Sequence, residues 1–212
     1  MIKINKRPLP DGVTIKTEND YRSGIVFQML TEDCYNKCYI CEDSLHTATD
    51  VEHRVSHGND PALKYDWHNL FLACRHCNNT KLDKYDGIID PSNVDPEKFI
   101  KLSLDFDDEL REIVVVSKVC GGNDVDITTN LLNAVYNGVN TAMKKYACQH
   151  LRNKLSNELV EFCKLLDAYK VNPSNDNKTA IKNRLHNSSI CAAFKREMVR
   201  NDPELHKQLN AQ

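Results

Sequence analysis

The apolar residues of this chain follow three different spacings, and each predicts a different kind of structure. Near the start, Tyr21, Ile25, Phe27, Met29 and Leu30 make a rough helical stripe. Thr17 and Asp20 sit three apart in front of it, like a capping box with Asp in place of Glu. The stretch before it carries Pro8, Pro10 and Gly12 and is expected to be an extended arm, and the helix should stop short of Cys34. In the middle, residues 51–55 and 69–73 are short β-like runs parted by a polar loop with Gly58, Asn59 and Pro61. Residues 78–85 are polar and suit a short helix, and Asp90-Pro91 marks a turn. Residues 99–106 alternate in polarity and residues 111–116 are β-branched, so a hairpin is expected with its turn at Asp107-Asp108-Glu109.

Gly121-Gly122 interrupts this pattern and marks a boundary. Beyond it Leu151, Leu155, Leu159, Phe162, Leu165, Leu166 and Tyr169 recur every three or four residues, the stripe of an amphipathic helix. Pro173 should end that helix and Ser174 should cap the next, which Ile181, Leu185 and Phe194 continue. The expected architecture is α+β: an arm and helix over residues 1–33, a β-containing segment over 34–122, and a helical region over 123–212 that packs on itself or docks a partner.

With 212 residues, 41% of them hydrophobic and 27% charged, the chain can bury a core, in one domain or one domain with an extension. The formal net charge of −2 hides a division. Residues 83–126 hold 5 basic and 12 acidic side chains, a net of −7, and residues 140–212 hold 13 basic and 7 acidic, a net of +6. That balance is weak for a protein that only grips nucleic acid, although Lys144, Lys145, Arg152 and Lys154 offer themselves to phosphate. The uncharged run over residues 127–143 carries several Asn and Thr and a Gly, too polar for a bilayer span, and the start lacks the basic-then-apolar pattern of a signal peptide. A cytoplasmic protein with no membrane contact is expected.

The cysteines add specific chemistry. Nine is an odd number and unsuited to a full disulfide framework. Cys38-x-x-Cys41 and Cys74-x-x-Cys77 form two short pairs, whereas Cys120, Cys148, Cys163 and Cys191 are scattered like small buried hydrophobes, and Cys34 is out of register with both pairs. Two such turns make a tetrahedral four-sulfur site for structural zinc. Such a site has no open position, so it cannot activate water, and any catalysis needs another metal.

Between the pairs lie Glu52-His53-Arg54, then Asp66-Trp67-His68-Asn69-Leu70, leading into Cys77-Asn78 and Lys81. An imidazole titrates close to neutral pH, so His53 is a suitable general base for hydrolysis. A regular strand, however, would point Glu52 to the opposite face. In order and spacing these residues resemble the HNH endonucleases. That resemblance implies a zinc-stapled ββα-metal core cutting phosphodiester bonds. It implies Glu52 and Asn78 on a catalytic divalent ion, His53 on the attacking water and Asn69 as a brace that orients His53. Two oxygen-biased ligands suit Mg²⁺ or Mn²⁺. Lys81, with Arg54 and His57, is a candidate contact to the substrate.

The string from Tyr65 to Cys74, followed by Cys77-Asn78, Lys81, Asp83-Lys84 and Asp90-Pro91, is more narrowly similar to the PtuB group of Septu-type and retron-associated anti-phage systems. Met1-Ile2-Lys3-Ile4 and the Glu-His pair fit that group, whereas Arg54-Val55-Ser56-His57 departs from its Phe-Arg-Pro-Lys-like stretch. This resemblance implies nucleic acid as substrate and a PtuA-like ABC-type ATPase as partner. In retron-associated versions it also implies a reverse transcriptase with its msDNA. Two alternatives stand beside it: a zinc-stapled nucleic-acid-binding or scaffold protein with an inactive HNH site, and a stand-alone restriction-type HNH nuclease.

Overall fold

A computed structural model describes residues 1–22, 24–45, 49–105, 113–118 and 122–209. The chain divides into two compact units, Met1–Ile100 with Ser117–Val135, and Lys101–Val116 with Tyr136–Gln212.

In the first unit the arm is extended and buried. Met1, Ile2 and Ile4 are core residues, and the Ile4 amide donates to Pro91 O at 2.8 Å. Lys6 lies over the rings of Trp67 and Phe71 and donates to Leu70 O at 2.6 Å. Burial lowers its pKa to about 8. Helix α1 (Glu18–Arg22) is entered through Asp20, whose carboxylate accepts from the amides of Lys16 and Thr17 at 2.9 and 2.8 Å. The single helix expected here is two, because Gly24 takes φ +62 at the start of α2 (Gly24–Asp33), a left-handed value that an unbroken helix does not contain.

Strands β1 (Thr49–His53) and β2 (Leu70–Cys74) pair antiparallel, with Thr49 opposite Cys74 and His53 opposite Leu70. Between them lie the short helix α3 (Pro61–Lys64), capped by Asp60, and a 3-10 turn over Trp67–Asn69, capped by Asp66. Helix α4 (Arg75–Lys81) follows β2 without a linker and packs across both strands. It begins three residues before the polar run that announced it. Helix α5 (Asn123–Asn137) contributes its residues up to Val135, and its Thr128 hydroxyl accepts from the Ile89 amide at 2.8 Å.

In the second unit, β3 (Ile100–Leu104) and β4 (Ile113–Ser117) form a two-stranded sheet, whose residues Ile100 and Ser117 fall to the first unit. The expected turn of this hairpin, Cys120 and Gly121 lie outside the described residues. Asn137 clips β4, accepting from the Ile113 amide at 3.1 Å and donating to its carbonyl at 2.7 Å. The predicted stripe is carried by α6 (Ala142–Val171), which ends before Pro173. Ser174 caps α7 (Asn175–Leu185), and α8 (Ala192–Arg200) and α9 (Pro203–Leu209) follow. Phe162, Leu166 and Tyr169 bury against Ile181, Val199, Leu205 and Leu209, so the lower part of the stripe is consumed by the region's own helices. Arg152, expected on a basic surface, is buried and donates to Tyr136 O at 2.5 Å. Among the described residues, no helix is long and apolar enough to cross a membrane.

Candidate metal centre and its flanking strand

The thiols of Cys38, Cys41, Cys74 and Cys77 lie within 4.8 Å of one another, and Cys41 Sγ is 3.9 Å from Cys74 Sγ. A tetrahedral zinc with Zn–S bonds of about 2.3 Å has sulfur–sulfur edges of ~3.8 Å, so the four donors fit that ion as they stand. The first pair sits on a small loop bent by left-handed Tyr35, Asn36 and Glu42 and closed by Cys38 N–H to Asp43 O at 2.9 Å. The second pair is built into the strand–helix junction. Cys74 is both the last residue of β2 and the N-cap of α4, its sulfur accepting from the Cys77 amide at 3.4 Å. Contact with the Cys38, Cys41 and Cys77 thiols lowers the Cys74 thiol, while burial pushes Cys77 up. Cys34 is buried outside this group, with its thiol raised to about 11 by burial.

Strand β1 carries the remaining candidates, and its pairing with β2 is regular, with no bulge to bring neighbouring side chains together. Asp50 and Glu52 therefore face α4, and His53 faces away. Asp50 Oδ2 accepts from Asn78 Nδ2 at 3.2 Å, and Arg75 reaches Asp50 at 3.3 Å. These residues line an open polar cleft of about 560 Å³ together with Arg22, Thr49 and Asn79.

One turn further along α4, Lys81 is fully buried and meets Glu52 Oε1 at 2.8 Å. The other oxygen of Glu52 accepts from the Tyr39 hydroxyl. Burial pushes the Glu52 carboxyl up, and Lys81 and Tyr39 pull it back. Lys81 also donates to His53 O at 3.0 Å and Leu82 O at 3.2 Å and lies 3.6 Å from Asp86. Glu52 therefore has a partner on each oxygen, and a divalent ion does not fit beside Lys81 in this arrangement. Lys81, expected at a substrate phosphate, lies instead under the strand. Arg54 likewise turns inward, donating to Ile88 O at 3.0 Å with Asp90 at 3.6 Å.

His53 is half-buried on the opposite face. Its Nε2 is 2.9 Å from Lys64 O, and its ring meets Tyr21 edge-on at 5.7 Å and His57 at 4.7 Å. A carbonyl only accepts, so Nε2 carries the hydrogen and the neutral ring keeps its lone pair on Nδ1. Burial lowers the His53 pKa, with the His57 and Lys64 charges adding to it against the carbonyl's opposing pull.

Asn69 holds this geometry from beneath. Its amide donates to Val55 O at 2.9 Å and Leu63 O at 3.0 Å and accepts from the Val55 amide at 2.8 Å. It thereby ties the end of β1 to the α3 segment whose Lys64 carbonyl orients His53. Tyr39, Asp50 and Asp86 did not stand out in the sequence. Asp50 alone had a signal there, since it lies two residues before Glu52 and shares its face in any strand.

Residues 38–84 match the family model of the HNH endonucleases. No curated protein and no solved structure matches the chain. The matched segment spans both cysteine pairs and everything between them, and it supports a metal-dependent nuclease domain that acts on nucleic acid.

Proposed function

We propose that this segment is an active endonuclease site in which His53 Nδ1 takes the proton of the attacking water. The observation that supports this most directly is the fixed imidazole: Nε2 is committed to Lys64 O, and the base nitrogen is left defined. The sequence resemblance reads Glu52 and Asn78 as ligands of Mg²⁺ or Mn²⁺, an ion that would act as Lewis acid toward the phosphate; in the present arrangement Lys81 and Tyr39 hold Glu52, and His53 stands on the other face of β1. His57, in ring contact with His53, is read as a substrate contact. Arg54, 21% exposed, keeps that reading only through its exposed edge.

The test is incubation of the full-length, zinc-loaded protein with plasmid, single-stranded DNA and structured RNA, with and without Mg²⁺ or Mn²⁺. Cleavage of at least one substrate, dependent on the ion, is expected. Because burial lowers the His53 pKa, the ring is neutral at pH 7, and the base form is lost only as pH falls through that lowered value. The acid limb of the rate profile should therefore lie below the ordinary histidine value of about 6.5. A limb at or above that value removes His53 as the group that titrates.

Biologically, we read the chain as the nuclease effector of an anti-phage system working with a PtuA-like ATPase, on the strength of the sequence resemblance. Co-expression with a PtuA-like ABC-type ATPase should yield a complex that survives size-exclusion chromatography. Separate elution of the two proteins would favour a stand-alone nuclease. The second reading, a zinc-stapled nucleic-acid-binding protein with an inactive site, is favoured by one observation, the engagement of Glu52 by Lys81. Binding without cleavage under every ion tested would establish it.

A further inference from the structure

We propose that the exposed side of the first turns of α6 is a second contact for nucleic acid, in which Tyr146 stacks on an unpaired base and Lys144 and Lys145 hold the phosphates beside it. The inference rests on nucleic acid being what the chain acts on. The surface lies wholly in the second unit. Its composition sets it apart: residues 136–157 contain no Asp or Glu, although the chain has 30. The later half of the same helix is an ordinary solvated surface, with Glu161 paired to Lys164 at 2.6 Å and Glu158 to Arg184 at 2.8 Å. The earlier half lacks such compensation. Its first turn holds Lys144 and Lys145 with no acidic residue, and among the described residues neither lysine is in an ion pair. Positive charge at the start of a helix opposes the helix dipole, so these lysines destabilise the free protein where they stand. Charge kept at such a position suits an anionic partner.

The apolar residues among these lysines narrow the class of ligand. Met143 is 85% exposed and Tyr146 73%, three positions apart and so side by side on the helix. Val139, 67% exposed, precedes the Thr141 cap. The same side continues with exposed His150, Asn153 and Lys154, whereas Arg152 turns inward to Tyr136 O and takes no part. Three apolar side chains set among amides and cations make too small an area for an apolar protein interface. They match what a single strand needs, a ring with a free face and cations for the backbone. A duplex keeps its bases stacked on one another and offers the Tyr146 ring nothing to stack on, so the ligand is an unpaired stretch.

The test measures binding of fluorescently labelled oligothymidine to the full-length, zinc-loaded protein by anisotropy, with no divalent ion added, to keep cleavage out of the readout. Wild-type affinity should fall with salt. Lys144→Glu combined with Lys145→Glu should bind at least about tenfold more weakly, and the slope of log affinity against log salt should flatten by about 1.4, two phosphates at ~0.7 each. Tyr146→Ala should bind about tenfold more weakly with the slope unchanged, the loss of one stacked base, and Tyr146→Phe should bind like the wild type. Unfolding cannot mimic the first result, because Glu in the first turn suits the helix dipole and should leave the melting temperature at or above the wild-type value. Lys182→Glu combined with Lys207→Glu changes the net charge equally on exposed positions of α7 and α9 and should bind like the wild type. A wild-type chain that does not bind the oligonucleotide overturns the proposal. So do α6 variants that bind like the wild type, an equal loss in the α7 and α9 control, or tighter binding of a duplex of the same length. Variants that keep oligonucleotide binding but no longer hold the ATPase overturn it too and assign this face to a protein partner. Cleavage with binding that ignores these substitutions counts against this inference alone, and Tyr146-dependent binding without cleavage under any ion counts against the nuclease reading alone.

Discussion

Cys74→Ser should abolish zinc retention and cooperative folding of the first unit together, leaving insoluble or unfolded protein. The magnitude decides this. Zinc in a four-thiolate site contributes on the order of 10 kcal/mol of apparent binding energy, while a whole domain is stable by only about 5–15 kcal/mol. Cys74 is also more than a ligand. It ends β2 and caps α4, so its loss releases the junction on which Asp50, Glu52, Asn78 and Lys81 are arranged. Metal analysis should give one zinc per chain in the wild type and none in the variant, and circular dichroism should lose its melting transition. A soluble wild-type protein without zinc, or a Cys74→Ser protein that melts like the wild type, would refute the assignment.

His53→Ala should separate chemistry from fold. Loss of a general base typically lowers a rate by ~10²–10⁴-fold. The structural cost should be small, because the side chain is half-buried and its ring contacts to Tyr21 and His57 are worth about 0.5–1.5 kcal/mol each. Zinc content should stay at the wild-type level and the melting temperature should fall by a few degrees. Wild-type cleavage by His53→Ala would take the proton-transfer role away from that residue. Equal loss of zinc and activity would show that the substitution had merely unfolded the site.

The legible parts of this molecule are those that follow from local periodicity or from ligand spacing. The two cysteine pairs predicted a shared site because C-x-x-C turns present sulfurs in only a few ways, and the four thiols do converge. The α6 stripe and its stop at Pro173 followed from helical spacing alone. The break at Gly24 was not foreseen, because a single glycine within a helical stripe leaves the apolar pattern unchanged. The surroundings of Glu52 were illegible for another reason. Tyr39 and Lys81 are 13 and 29 residues away from it, and no periodicity connects a loop tyrosine to a strand carboxylate. Lys81 misleads in sequence, since a lysine after a polar helix turn resembles a phosphate contact. Only its complete burial distinguishes a counter-ion from a surface charge.

The way the chain is shared between its units bears on how it can be made. Read from the N-terminus, it passes from the first unit into the second at Lys101, back at Ser117, and across again at Tyr136. During synthesis the zinc-bearing segment is therefore exposed before α5 has emerged to complete its unit, and by then strands of the other unit have already left the ribosome. Domains that emerge whole fold one after another; here the first unit is complete once Val135 has emerged, while residues 101–116 still wait for the rest of theirs. By the same token no single protease cut liberates the second unit intact, because a fragment that starts at Tyr136 lacks residues 101–116. A fragment ending after residue 118 would lack the α5 residues that belong to the zinc-bearing unit, so nicked or truncated chains should be cleared as misfolded protein instead of persisting as unregulated nuclease.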